Sequence, residues 1–295
     1  MGSSSTTAVA RDSCCEQSHD VARDIEDEGE TFGFVHSMDS FTAVDGAGIR
    51  CIVFLQGCRK RCAFCCNVDS TDAALISTPK GVRPGTRTRV RDVLDGVLRK
   101  NLDYYVASGG GLTLSGGECL LQPAFVKALC VGAKALGVTT ALDTAAAGTP
   151  EEWAMVLPHV DMVLLCVKSA FVDRFIAITG TSHKEFELSR RFLKECDARG
   201  VVTWIRFVLM TNPSGDERFE PFVTDSEEEL RELARLAKSH RCVRGIELLP
   251  YHRLGVFKFQ ELGLTYKLEG MSTPSREEIA RAKRILNEQG VDVMC

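Results

Sequence analysis

Six apolar runs, each followed by an amphipathic segment or a polar loop, constrain this 295-residue chain more than any other feature. They are GIRCIVFLQG (48–57), GLTLSGGE (111–118), VTTALDTA (138–145), DMVLLCVK (161–168), VVTWIRFVLM (201–210) and RGIELLPYH (244–252). Helical patterns lie between them at 89–105, 123–137, 183–200 and 225–240, the last with Asp225 or Ser226 as N-cap. A closing helix over 275–290 ends on a glycine suited to the left-handed position after a helix. Continuous apolar strands alternating with helices indicate a parallel sheet covered by helices. Six strands are too few for a closed eight-stranded barrel. The pattern predicts an α/β fold, an open partial (β/α)6 barrel, with a doubly wound sheet as the alternative. Both place chemistry at the C-terminal ends of the strands.

That rule can be checked against the sequence. A cysteine group follows the first strand, SGGE closes the second, Asp143-Thr144 the third, Lys168 the fourth and Tyr251-His252 the sixth. Chance placement would not produce that register.

Four cysteines fall within GCRKRCAFCC (57–66): Cys58, Cys62, Cys65 and Cys66. The chain holds thirteen, most of the others standing singly in apolar stretches (Cys51, Cys130, Cys166, Cys196, Cys242), where a free thiol behaves as a small hydrophobe. No secretory h-region precedes them, so a reducing compartment with one special group fits better than a disulfide framework. The C-x3-C-x2-C spacing of Cys58, Cys62 and Cys65 brings three thiolates round one loop. Three thiolates on a four-iron cluster leave one iron open to another ligand. A structural zinc would want a second pair at comparable spacing, which the chain lacks; a catalytic zinc with three thiolates and a water stays open as a minor alternative.

Residues 1–30 carry two basic and eight acidic groups, a net −6, and lack hydrophobic periodicity, so they read as a disordered acidic leader. The domain is expected over 31–295. Gly2 followed by Thr6 fits a loose myristoylation pattern, and Cys14-Cys15 an acylation one, although short Ser-rich leaders are common. The remaining 34 basic and 32 acidic groups give +2, which offers no electrostatic argument for nucleic acid. The basic run 80–91 reads as a solvated loop entering a helix. No apolar run approaches the roughly 20 residues that span a bilayer.

With Phe64 before its last cysteine, the C-x3-C-x2-C loop resembles the cluster loop of the radical S-adenosylmethionine (SAM) superfamily. Within it the chain closely resembles the pyruvate formate-lyase activating enzymes, which are glycyl-radical-enzyme activases. The resemblance runs from about residue 33 to the C-terminus and includes, in the family's order, VDGAGIR (44–50), FLQGC (54–58), ASGGGLTLSGGE (107–118), LDT (142–144), WIRFV (204–208) and ELLPYHRLG (247–255).

What the resemblance implies is a [4Fe-4S] cluster on Cys58, Cys62 and Cys65, with SAM chelating the open iron. Reductive cleavage of SAM would leave methionine and a 5′-deoxyadenosyl radical, which takes a hydrogen atom from a glycine of the partner. That partner would be formate acetyltransferase (pyruvate formate-lyase), with a flavodoxin or ferredoxin as electron donor; an activase of another glycyl radical enzyme or another short radical SAM enzyme is the alternative, and a non-catalytic iron–sulfur or zinc protein the remote one. Carried over residue by residue, Phe64 and the backbone through Cys65 and Cys66 flank the adenine. Gly116 and Gly117 let backbone approach the methionine group, and Glu118 helps hold its ammonium. Asp143, Lys168, Arg206 and His252 face the site, with Lys168 on the carboxylate or ribose and His252 on the nucleoside. Asp45 meets the glycine-bearing loop of the substrate. A monomer in the cytoplasm is expected, an organelle being left open by the leader.

The chain departs from the family at three places. Where Asp-x-Lys is usual it has Cys166-Val167-Lys168, and a thiol is a poor ligand for the hard monovalent cation expected beside the SAM carboxylate. Ala145 follows LDT in place of Asn-Gly, and Cys66 stands where histidine is common, a bystander rather than a fourth ligand. No cysteine lies between Asp69 and Ala107, which favours the short, single-cluster type.

Overall fold

The computed structural model describes residues 29–71 and 85–295; the loose modification patterns at Gly2 and Cys14-Cys15 lie outside the described residues. One nine-stranded sheet runs in the order β3-β1-β2-β4-β5-β6-β7-β8-β9. Strands β2 (Arg50–Leu55), β4 (Gly111–Gly116), β5 (Thr139–Thr144), β6 (Met162–Cys166), β7 (Val202–Leu209) and β8 (Val243–Pro250) are the six anticipated runs, all parallel. Each pairs with the next along the chain, so successive right-handed crossovers lay the helices on one face. A doubly wound sheet would reverse its order; this one does not. It is the open (β/α)6 barrel.

Three strands were not anticipated. β1 (Phe32–Thr42) pairs antiparallel with β2, β3 (Thr86–Arg89) pairs antiparallel with the start of β1, and short β9 (Val293–Met294) adds to β8. β3 corrects the reading of the basic run: Thr86–Arg89 is an edge strand, its Arg87 guanidinium 3.7 Å from the Phe32 ring centroid, and helix begins only at Val90. Residues 80–84 of that run lie outside the described residues. Glu30, the last residue of the expected leader, pairs with Arg89 and Arg91.

The apolar core is a sleeve between sheet and helices. Cys51, Val53 and Leu55 of β2, Leu112 and Leu114 of β4, Ile205, Phe207 and Leu209 of β7, and Ile246 and Leu248 of β8 all belong to it. They meet Phe125 and Leu129 of the helix Pro123–Ala135, Phe192 of His183–Arg199, Leu233 of Glu227–Lys238 and Leu286 of Arg276–Glu288. Alternate positions on the same strands face the barrel interior and carry the polar groups, the period-2 logic of a strand. Of the expected caps, Ser226 is the one used, accepting from the Glu229 amide. The helix Pro150–Val156 went unanticipated, although Thr149 and Glu152 form a reciprocal capping box legible as T-P-E-E.

Candidate active site at the strand ends

β2 ends at Leu55 and the cysteine loop follows. The loop is closed at its base: the Gly57 amide donates to Ser70 O at 2.7 Å and the Cys58 amide to Thr71 O at 2.8 Å. Its middle is fixed by the amides of Arg61 and Ala63, which donate at 2.8 Å to Thr179 O and Ile178 O, free carbonyls at the end of the helix Val172–Thr179. The Cys65 amide turns back to Cys62 O at 3.0 Å. Cys58, Cys62 and Cys65 are half-buried, whereas Cys66 is exposed. Burial first, then Glu118 and Cys62, pushes the Cys58 thiol up to about 11. Burial, then Cys62 and Cys66, pushes Cys65 up to about 12. The free chain therefore holds thiols, and a metal must displace their protons.

Lys168 closes the other side. Its Nζ lies 5.2 Å from the Phe64 ring centroid, in cation–π range. Burial alone would lower its pKa, but Cys166, Cys62 and Cys65 once ionised, together with the Asp143 carboxylate, raise it above the ordinary lysine value. Phe64 itself packs against a second apolar cluster that includes Ala63, Ile178 and Tyr251.

Inside the barrel a polar belt crosses five strands. The Ser115 hydroxyl donates to Asp143 Oδ2 at 2.7 Å, and Cys166 Sγ lies 3.5 Å from Asp143 Oδ1. Arg206, directly opposite Cys166 in register, sets Nη1 3.3 Å from Asp143 and 3.1 Å from Asp45, with Nε 2.7 Å from Glu247. Its Nη2 donates to Val44 O at 2.6 Å. Three carboxylates thus share one buried guanidinium, which raises its pKa against the opposing effect of burial. Asp45 precedes β2, yet Arg206 and the Thr42 hydroxyl hold its carboxylate while Thr113 Oγ1 donates to its main-chain oxygen.

Beneath that loop lies Arg50, 1% exposed, whose guanidinium donates to Thr113 Oγ1, Ala47 O, Leu112 O and Thr139 Oγ1 at 2.7–3.0 Å. Desolvation lowers its pKa to about 10, partly offset by Asp161 and Asp45.

The glycines of SGGE have a use beyond ligand approach. Gly116 has φ +114°, and a Cβ there would lie 2.1 Å from Leu55 N; one on Gly117 would lie 2.3 Å from Gly57 O. Backbone packs on backbone where β4 meets the cysteine loop. Glu118 is buried. It is 2% exposed and accepts from the Leu120 amide, the Ala145 amide and the Thr144 hydroxyl, tying the ends of β4 and β5 together.

His252 is exposed beyond β8, its Nδ1 3.3 Å from the Leu254 amide. Its segment reaches the cysteine loop: a Cβ on Gly255 would lie 2.6 Å from Cys66 Cα. Val167 contributes an amide that donates to Arg206 O at 3.0 Å. The structure so gathers Phe64, Cys166, Lys168, Asp143, Arg206 and Asp45 around the cysteine loop or the adjoining belt, with His252 at the rim. Cys166, at the end of the fourth apolar run, faces the belt, and burial above all pushes its thiol up to about 12. Glu247 and Arg50 were missed; both lie inside quoted motifs, ELLPYHRLG and VDGAGIR, which were the available signal.

Among the described residues no three His, Cys, Asp or Glu side chains converge on a single ion. A cluster asks something different, since its thiolates bind separate irons. Three soft thiols round one anchored loop, beside a lysine, suit that demand.

A family model for a 4Fe-4S single cluster domain matches residues 44–147. The pyruvate formate-lyase-activating enzyme of Clostridium pasteurianum is 38% identical over 256 residues, 87% of this chain and 98% of that one. The chain belongs to the pyruvate formate-lyase-activating enzyme family. The Streptococcus mutans member of that family is 37% identical over 87% of this chain and 92% of its own. Among solved structures, SuiB of Streptococcus suis bound to its precursor peptide has a TM-score of 0.57 at 12% identity, over 99% of this chain and 56% of that one. Coproporphyrinogen III oxidase of Escherichia coli, a radical SAM enzyme, has a TM-score of 0.51 at 13% identity, over 81% and 52%. At such identities these two speak for the fold alone. The segment matched by the 4Fe-4S single cluster domain model holds the whole cysteine loop.

Proposed function

We propose that this chain installs a glycyl radical on a pyruvate formate-lyase. The observation that carries the reading is the half-buried trio Cys58, Cys62 and Cys65 on a loop anchored at both ends, with Lys168 across from it. Those three thiolates would hold the cluster, leaving one iron for SAM. Bound there, the cluster supplies one-electron reductive cleavage of the sulfonium; the protein supplies position and electrostatics.

Lys168 meets the SAM carboxylate or ribose, and its raised pKa keeps it a cation. Phe64 and the backbone through Cys65 and Cys66 flank the adenine, with His252 on the nucleoside. Backbone at Gly116 and Gly117 borders the methionine group. Asp143 and Arg206 form the inner wall, and Asp45, held by Arg206, faces the substrate's glycine loop. Glu118 acts on the ammonium only through the strand ends it ties, because its oxygens already accept from Leu120, Thr144 and Ala145. We assign the electron to a flavodoxin or ferredoxin, and place the chain in the cytoplasm as a monomer. No helix among the described residues is long and apolar enough to cross a membrane.

The test is anaerobic reconstitution with iron and sulfide. Added SAM and reductant should yield 5′-deoxyadenosine, and added formate acetyltransferase should then show a glycyl radical by electron paramagnetic resonance. SAM cleavage with no radical on that partner would overturn the substrate assignment; no cleavage would overturn the function.

A further inference from the structure

Asp69 lies four residues beyond the last of the three cysteines, in the short turn Val68–Ser70 that ends their loop. Its Oδ2 is 3.1 Å from His36 Nε2 on β1, and its Oδ1 is 2.9 Å from Lys258 Nζ on the helix Val256–Glu261. Lys258 also reaches Asn67 Oδ1 at 3.4 Å, and Gln56 Nε2 donates to the Asp69 main-chain oxygen at 3.3 Å. One carboxylate therefore joins three elements.

Two of those elements come from opposite sides of an open barrel. β1 flanks β2, whereas the Lys258 segment follows β8, and the sheet order places five pairings between β2 and β8. Among the described residues no ladder hydrogen bond links those sides. At the mouth the link is made by side chains instead. The same segment touches the loop again where Gly255 meets Cys66, and its base is pinned by the Tyr251 and Tyr266 hydroxyls, 2.7 Å apart. His252 sits between that base and Gly255. The three clasping side chains are 22–27% exposed, so the Asp69–Lys258 pair is partly shielded from solvent.

We propose that Asp69 is a positioning residue whose carboxylate clasps residues 251–261 onto the cysteine loop and so sets the gap between Cys66 and His252 in which SAM is held; this rests on the function proposed above. Without the clasp, the open side of the barrel leaves the segment free to swing. The cluster would keep its three thiolates and SAM would lose one wall.

The experiment uses reconstituted protein carrying Asp69→Asn, Lys258→Met or Lys258→Arg. Hydrogen–deuterium exchange should quicken in both 58–71 and 251–261 in Asp69→Asn and Lys258→Met. SAM affinity, read from the change in the reduced cluster's resonance, should weaken about tenfold in both at full iron loading, with Lys258→Arg largely restoring it. Native SAM affinity in Lys258→Met, or quickened exchange confined to one of the two segments, would overturn the clasp. Should the wild-type protein bind no SAM, the function falls, and the exchange pattern still decides the clasp.

Discussion

Cys166 Sγ lies 3.5 Å from Asp143 Oδ1, and the thiol, pushed up to about 12 chiefly by burial, stays protonated and donates to that carboxylate. Ser115 and Arg206 occupy Oδ2 of the same group. Asp143 is thus fully partnered by this chain's own donors. Replacing Cys166 by Asp removes a donor and adds an anion beside Asp143, so the pair requires a cation or a shared proton. SAM binding by Cys166→Asp should become dependent on potassium, while the wild type should bind equally in potassium and N-methylglucamine chloride. Equal behaviour of the two proteins would refute this.

Iron content separates ligand from bystander in the cysteine group. Ser in place of Cys58, Cys62 or Cys65 should abolish four-iron loading, because three thiolates are the fewest that hold the cluster. Cys66→Ser should load fully, since Cys66 is exposed and its neighbour Cys65 keeps the spacing. Anaerobic reconstitution followed by iron and sulfide assay reads both.

Gly117→Ala places a Cβ 2.3 Å from Gly57 O and 2.7 Å from Ser70 O, the two backbone groups that close the base of the cysteine loop. Neither can yield as a side chain would. The variant should lose about 2 kcal/mol or more of stability and load iron poorly. Thermal unfolding indistinguishable from wild type would contradict the close approach.

Arg206→Met leaves Asp45, Asp143 and Glu247 without their shared cation, with side-chain exposures of 19%, 17% and 18%. Removing one partner of such a buried network costs about 3–5 kcal/mol. Urea denaturation should show that loss at neutral pH and a smaller one in acid, where the carboxylates take protons. A change below about 1 kcal/mol would mean that water reaches the belt.

Acid unfolding should report on Asp69. Burial would raise its pKa, but hydrogen bonds from His36 and Lys258 outweigh that and hold it at about 2, below the ordinary 3.8. A depressed folded-state pKa contributes stability that is complete above the unfolded value and lost as pH falls through the folded one. The stability gap between wild type and Asp69→Asn should therefore be constant above about pH 4 and close toward pH 2. A gap that widens in acid would reverse the assignment.

Much of the fold could be read in advance because helix and strand periodicities are local. Five of the strands β2 and β4 to β8 lie within a run marked by its apolar residues, and β8 extends beyond its run by Val243 alone. β3 was missed because TRTR carries no apolar signal and forms a strand only by pairing with Phe32–Val35. The helix Val172–Thr179 was passed over as well, though its last carbonyls anchor the cysteine loop. At the site, the cysteines, Lys168 and Asp143 were legible from their place after strands. The partners of Glu118 could not be read locally, since Thr144 and Ala145 lie at the end of the next strand and just beyond it.

By itself the sequence determined the alternation of strands and helices, the spacing of three thiols and the family to which the motifs belong, all properties of residues close together along the chain. The tertiary structure alone decided which charges meet. Arg206 draws Asp45 across 161 positions, and Asp69 draws Lys258 across 189. Hydrogen bonds and ion pairs act over a few ångströms of space, and only the curl of the open barrel brings such distant groups within that reach.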